Sequence, residues 1–481
     1  MNTPTAFSKF LDRRNFLRTS VAAGTAVHLA TSKSAIAQAT SGERVLKVAL
    51  AGTGAQGQRL LECSKEIPNI QFVAVCDPFD YNLRRGIGIV KYKWGEPRTY
   101  TDYEEMLEKE KDLDAILIAT PDFLHHTFTR LGLQAGKAVY CEKMMSHTIE
   151  TAADMVKAQR ETGGILQIGH QRHSNPRYIH LRDKVISQNV LGRVTHCYGQ
   201  WNRGVSQSKK LDVPKGTNID AAMLSKWGFN SPEEFMNWRW FSKYSAGPIS
   251  DLGAHQIGMF NWFFSTKDKP AVPVSVFAQG GVDYYDGSEG RMKAENPDNV
   301  MAMYEYDSPL GKRRCYYQVL TTTGSQGYYE KLMGVDGSIV MSELDTNGNN
   351  AYRESSAPDW GPFAKTNPPT LKRAGDALKN KFWEHDRTWD KPKARTMAGP
   401  IAGADARVSK PIESWELPVV LTSPPHTPHL ANFFDCVRKK DPSGLTCTVE
   451  EAYRICVTVL KCYDSIKSGQ KYDFKPEDFT V

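Results

Sequence analysis

Residues 45–77, VLKVALAGTGAQGQRLLECSKEIPNIQFVAVCD, leave a chain few ways to fold. A short apolar run stops at Gly52-Thr53-Gly54-Ala55-Gln56-Gly57, a segment with helical spacing follows, and a second apolar run ends on Asp77. Strand, glycine turn, helix, strand, acid is the order of a unit that holds a dinucleotide. Gly52 permits the tight turn, Gly54 lets backbone approach a pyrophosphate, and Gly57 lets the helix lie close on the strand. The phosphates then face the positive end of the helix. Asp77 ends the second strand, where a carboxylate accepts the ribose hydroxyls and repels a 2′-phosphate; NAD is favoured, with NADP as the open alternative. A lone glycine fingerprint is a weak signal in a chain with 37 glycines, so the flanking runs and the terminal acid carry the reading.

The chain has 481 residues, 40% of them hydrophobic, and no apolar run near the roughly 20 residues that span a bilayer. That length predicts two domains, each with its own core. The formal charge of +7 is concentrated at the start: residues 1–37 hold five Lys/Arg against Asp12, leaving 56 basic and 53 acidic residues beyond. With no basic run interleaved with aromatics, a nucleic-acid partner is not expected. Nine cysteines fall without C-x-x-C spacing or grouping with histidines, which argues against structural zinc and a disulfide framework.

Asp12-Arg13-Arg14-Asn15-Phe16-Leu17-Arg18 resembles the twin-arginine export motif, followed by a mildly apolar stretch and a small-residue site at Ala35-Ile36-Ala37. Residues 1–37 are therefore read as a signal peptide and set aside from the fold. The expected location is periplasmic or otherwise exported, where free nucleotide is scarce, so a cofactor would have to stay bound through turnover.

Beyond Asp77, apolar runs at 114–120, 138–141 and 165–169 alternate with helical segments, the pattern of a parallel sheet covered on both faces. This gives a nucleotide-binding domain over 45–170. From residue 192 the texture changes to longer β-branched and aromatic runs at 193–201, 272–279, 300–306, 314–320 and 337–341, which predict a mostly antiparallel sheet in an α+β domain over 171–425. Residues 343–420 fit neither period and are expected to form a surface insertion. Helical spacing returns within 426–475, expected to pack back on the first domain.

Ligands of open parallel sheets sit at the carboxyl ends of the strands, so Thr120-Pro121, Glu142-Lys143 and residues 169–172 should gather around the glycine turn. On spacing alone Lys143 is equally a solvated loop lysine. Asp251 and His255 are four apart and would share a helix face, an acid orienting a histidine for proton transfer; an N-terminal helix acid beside a packed histidine is the plainer alternative. His170, Arg172 and His173 could contact nicotinamide or substrate, though such a loop is more often solvated. Trp238, Arg239 and Trp240 could stack on a sugar or simply fill a core.

Four ordered motifs, GTGAQG, ATPDFLHH, AGKAVYCEKM and SDLGAHQ, resemble those of the glucose-fructose oxidoreductase and inositol dehydrogenase family, Gfo/Idh/MocA. The resemblance implies a Rossmann domain, a C-terminal α+β domain with a large open sheet, and a homo-oligomer. It implies that His255 takes a hydroxyl proton, that Asp251 steadies it, and that Lys143 holds the reacting oxygen. Thr120, Pro121, His125, Glu142 and Arg172 match cofactor-side positions. Met144 stands where the family usually has proline, and Gly258 where it often has an acid. The implied activity is oxidation of a sugar, glycoside or polyol hydroxyl with NAD. The same parts also suit a redox-neutral glycosidase, and a non-catalytic carbohydrate-binding protein is the reading from a different class.

Overall fold

The apolar run before the glycine turn becomes the middle strand of a six-stranded parallel sheet. In the computed structural model, which describes residues 44–266, 268–308, 310–343, 349–374 and 413–481, this sheet comprises β1 (Leu46–Ala51), β2 (Ile70–Cys76), β3 (Arg98–Tyr100), β4 (Ala115–Ile118), β5 (Ala138–Cys141) and β6 (Leu166–Ile168). The expected export segment lies outside the described residues. The strand order is β3-β2-β1-β4-β5-β6 with every pair parallel. Direction of winding reverses between β1 and β4, so a crevice opens where Gly52 and Thr120 leave the sheet. Every residue of β4 and β5 is buried, because helices cover both faces. These are α1 (Ala55–Ser64), α2 (Asp80–Trp94), α3 (Tyr103–Lys109), α4 (His125–Gln134) and α5 (Ile149–Thr162). Asp102 caps α3 by accepting from the Glu105 amide, and Thr148 caps α5 in the same way through Thr151.

The second half builds a ten-stranded sheet from β7 (Val194–Asn202), β8 (Pro273–Gly281), β9 (Asn299–Ser308), β10 (Gly311–Leu320), β11 (Tyr328–Gly334), β12 (Gly337–Met341), β13 (Asn350–Arg353), β14 (Lys372–Arg373), β15 (Glu413–Glu416) and β16 (Tyr472–Asp473). Only β7 and β10 run parallel; all other neighbours are antiparallel. Burial alternates along β9 and β10, so one face packs on the core and the other is open, with Met301 and Met303 exposed on it. The helix Ala254–Phe264 is buried along its whole length beneath this sheet.

Two expectations need correction. The described parts of 343–420 are not a surface excursion: β13, β14 and β15 extend the sheet edge, and Trp360 and Trp415 pack edge to face in its core at 5.9 Å. Their apolar residues are too sparse to show a period, and pairing with β12 is what gathers them. Strand β11 was absent from the expected set and yet links β7 to β12.

The last helices tie the halves together. Thr427–Lys439 lays Leu430, Phe433 and Phe434 on the Rossmann cluster that holds Val48, Leu60 and Leu61. Val449–Ser468 packs between α5 and β8, and a single apolar cluster contains residues of both sheets. The cleft between the halves therefore has a continuous core behind it.

Candidate active site

The glycine turn does what its residues require. Gly52 has φ +89°, and a Cβ there would sit 2.6 Å from the Ala119 carbonyl oxygen. A Cβ on Gly57 would lie 1.9 Å from the Gly52 carbonyl oxygen, so α1 can approach β1 only without one. Gly54 differs: the nearest atom to a Cβ would be Asn82 Nδ2 at 3.7 Å, leaving that flank open to a cavity. Asp77, nearly buried, accepts from the Thr53 amide at 2.8 Å and from the Phe79 amide at 2.9 Å. Burial pushes its carboxyl up to about 6 against these hydrogen bonds.

A cavity of about 290 Å³ lies over this turn, lined by Gly52, Gly54, Ala55, Gln56, Asp77, Thr120, Pro121, Glu142 and Lys143. Its opposite wall comes from the long connection between β7 and the helix Ala254–Phe264, through Trp227, Phe229, Phe235, Met236 and Trp238. That connection is pinned to the Rossmann half by ring contacts, Phe79 with Phe235 at 5.6 Å and Phe123 with Phe229 at 5.3 Å, and by the ion pair Lys226–Asp102. Of this wall the sequence pointed only to Trp238; Trp227, Phe229, Phe235 and Met236 were missed, since residues scattered over 227–236 follow no period.

A second cavity, about 510 Å³, adjoins the first and shares Ala55, Gln56, Glu142, Lys143 and Arg239 with it. Lys143 follows β5 and shares a cis peptide bond with Met144. Its ammonium donates to the Asp251 backbone carbonyl and lies 3.4 Å from Asp251 Oδ1. Glu142 beside it is buried, which raises its carboxyl to about 7 although Lys143 pulls the other way.

Asp251 and His255 both line this second cavity, but they do not pair. Residues Ile249–Gly253 form a wide π-helical turn, so a spacing of four no longer stacks side chains as in an α-helix. Asp251 instead faces cations: Arg239 Nε at 3.2 Å, Lys143 Nζ at 3.4 Å and Arg203 Nη1 at 3.8 Å. Burial works to raise its carboxyl, and Arg239, Lys143 and Arg203 together hold it well below the usual range. His255 packs on Trp201 with ring centroids 5.2 Å apart, and its Nδ1 is buried with no hydrogen-bond partner. Burial first, then the charges of Lys143 and Arg172, push the imidazole well below its ordinary value, so it is neutral.

Four expected residues lie behind the walls. Thr53 and Gly57 are buried in the turn. His125 turns its ring nitrogens to the carbonyls of Met144 at 2.7 Å and Thr120 at 2.9 Å, bracing two loops that reach the cavity. Arg172 is sealed between Glu330 and Glu343, with Glu343 Oε2 3.1 Å from its Nε. The His170–His173 loop is thus buried, because the second sheet supplies acids that no local pattern could announce. Gly258 packs against Ile455, away from either cavity. Gln171, from the expected 169–172 stretch, lines the second cavity, and Arg203, Tyr328, Glu343 and His426 join it unforeseen, each from a different segment.

Residues 46–170 match the family description "Oxidoreductase family, NAD-binding Rossmann fold", and residues 181–340 match "GFO/IDH/MocA C-terminal domain". An inositol 2-dehydrogenase of Pseudomonas savastanoi pv. phaseolicola is 30% identical over 269 residues, covering 54% of this chain and 77% of that protein. The chain belongs to the Gfo/Idh/MocA family. A glycosyl hydrolase family 109 protein of Shewanella amazonensis is 24% identical over 294 residues, 56% of this chain and 61% of that one. In fold, the chain resembles the WlbA dehydrogenase from Bordetella pertussis, solved in complex with NADH and UDP-GlcNAcA, with TM-score 0.58, 16% identity and coverage of 90% and 99%. The protein is an NAD-binding oxidoreductase of the Gfo/Idh/MocA type, and its residues fit that cofactor. The open flank of Gly54 leaves room for a pyrophosphate, Asp77 lines the same cavity, and Glu142 and Lys143 mark where the two cavities join. Among the described residues no group of His, Cys, Asp and Glu could hold a metal, all nine cysteines are free and buried, and no helix is long and apolar enough to cross a membrane.

Proposed function

We propose that this protein oxidises a secondary hydroxyl of a sugar, glycoside or polyol and holds its NAD throughout the cycle. One observation carries the reading: Lys143 of the Rossmann half, where the two cavities meet, and a neutral His255 from the other half line the same cavity. Bound NAD supplies the hydride acceptor. The chain's own part is to move the hydroxyl proton and steady the oxygen. His255 presents an unprotonated nitrogen as general base, a role worth about 10²–10⁴-fold. Lys143, fixed by two contacts to Asp251, offers its remaining donor to the oxygen as charge develops on it. Asp251 thereby acts as anchor of the lysine, not as partner of the histidine.

The test is mass spectrometry of nucleotide released from purified protein, before and after exposure to candidate sugars. Appearance of NADH with one sugar supports the reading; protein that neither contains nor takes up nicotinamide nucleotide sinks it.

The similarity to a glycosyl hydrolase family 109 protein supports a second reading, a redox-neutral glycosidase that uses the same base and lysine. Release of chromogen from nitrophenyl glycosides without net NADH would favour it over the dehydrogenase.

Export by the twin-arginine route belongs to the same proposal. Replacement of Arg13 and Arg14 by lysine should hold the protein inside the cell, and a mature N-terminus just after Ala37 should be found outside. Homo-oligomer formation through the open face bearing Met301 and Met303 is likewise proposed, to be read by light scattering on a sizing column.

A further inference from the structure

The second cavity carries more positive charge than its own acids balance. Asp251 is one carboxylate facing three cationic heads, those of Lys143, Arg203 and Arg239. The most weakly engaged of them is Arg203, which follows the last residue of β7. Its guanidinium reaches Asp251 only at 3.8 Å, makes no side-chain hydrogen bond among the described residues, and leans 5.4 Å from the Trp201 ring with its side chain 37% exposed. It lines the second cavity and not the nucleotide cavity, so the cofactor's phosphates do not account for it. A planar, permanently charged fork held against an aromatic face is suited to a carboxylate, sulfate or phosphate ester, which it can grip through two parallel hydrogen bonds. Of the other two acids on the cavity wall, Glu142 is buried beside Lys143, and Glu343 is already engaged by Arg172 at 3.1 Å and by Gln171 at 3.3 Å. Gln171, itself 4% exposed and on the cavity wall, keeps its Oε1 without a partner. That acceptor would take a hydroxyl of a bound sugar.

We propose that the substrate is a sugar bearing an anionic substituent, with Arg203 as the residue that recognises the anion. This rests on the oxidoreductase reading for the cavity but concerns which substrate enters it. Lys143 and Arg203 reach the two oxygens of the same Asp251 carboxylate, at 3.4 and 3.8 Å, which places the site for the reacting oxygen and the site for the anion in one cavity. The uncharged counterpart of such a substrate would leave Arg203 without its partner and lose the charge-assisted contact.

The test is equilibrium binding, by calorimetry on the NAD-loaded protein, of hexuronates, hexose 6-sulfates and hexose 6-phosphates beside the methyl hexuronate esters and neutral hexoses. At least one anionic sugar should bind at least tenfold more tightly than its neutral counterpart, and the three arms show which anion it is. Arg203→Met should abolish that preference while the protein still retains nucleotide, which certifies its fold; Arg203→Lys should restore only part of it. Equal binding of charged and neutral sugars, no binding of either, or a preference that survives Arg203→Met would each overturn the proposal. NADH formation is scored separately: neutral sugars oxidised without anionic preference would leave the dehydrogenase standing and remove this inference. An anionic preference with no oxidation of any sugar would do the reverse.

Discussion

Lys143 and Asp251, 108 residues apart, meet across the junction of the two halves, the lysine ammonium donating to the aspartate's backbone carbonyl and lying 3.4 Å from its carboxylate. The contact aims the lysine into the cavity where His255 also opens. Asp251→Ala keeps the backbone carbonyl that the lysine donates to and removes only the carboxylate contact, so it should lower kcat less than Lys143→Met, and the double variant should lose little more than Lys143→Met alone, because the two act as a unit. Steady-state NADH formation measures this. Additive losses would show that the pair is not coupled.

His255→Ala is expected to lower kcat/KM by about 10²–10⁴-fold with nucleotide still bound. The imidazole stays neutral far below its ordinary pKa of 6.5, so the wild-type kcat/KM should be level through that pH and fall only in more acid solution. The variant should lack that acid limb. A wild-type inflection at the ordinary histidine value would assign the base elsewhere.

The two glycines of the turn separate binding from folding. Gly54 lies at φ −63° with open space beside it, so Gly54→Val should keep the melting temperature of the NAD-free protein while obstructing the pyrophosphate and losing NAD. Gly57→Ala puts a carbon against the Gly52 carbonyl and should cost about 1–3 kcal/mol in stability. Calorimetric melting and retained nucleotide, measured on both, should show opposite patterns.

Arg172 belongs to the structure of the domain junction. Removing it strands Glu330 and Glu343 in the interior, and Arg172→Ala should cost about 3–5 kcal/mol, read in chemical denaturation of the NAD-free protein. Pairing that substitution with Glu330→Gln and Glu343→Gln should recover part of the loss. A drop in NAD affinity at unchanged stability would instead restore the cofactor-side role.

Glu142 makes a pH-dependent contribution of definite sign. Its carboxyl is raised from 4.5 to about 7, chiefly by burial, so the folded state binds a proton that the unfolded state has released. Stability from this group is present below about pH 4.5 and is lost as pH rises through about 7. Glu142→Gln should gain in melting temperature relative to wild type as pH increases across that window. A gain that did not change with pH would mean that the carboxyl ionises normally.

The Rossmann half was legible because its signals are local. Gly52, Gly54, Gly57 and Asp77 lie within one strand-turn-helix-strand unit, and each is required by the backbone conformation or by the group that approaches it. The buried strands β4 and β5 announce themselves as unbroken apolar runs for the same reason. What the chain alone could not decide is which charges face one another. Spacing joined Asp251 to His255, but the π-helical turn aimed the aspartate at Lys143, Arg203 and Arg239. Arg172 read as a loop residue until β11 and the segment just after β12 delivered Glu330 and Glu343. Coulomb energies depend on distance and burial in three dimensions, and neither is encoded by position along the chain.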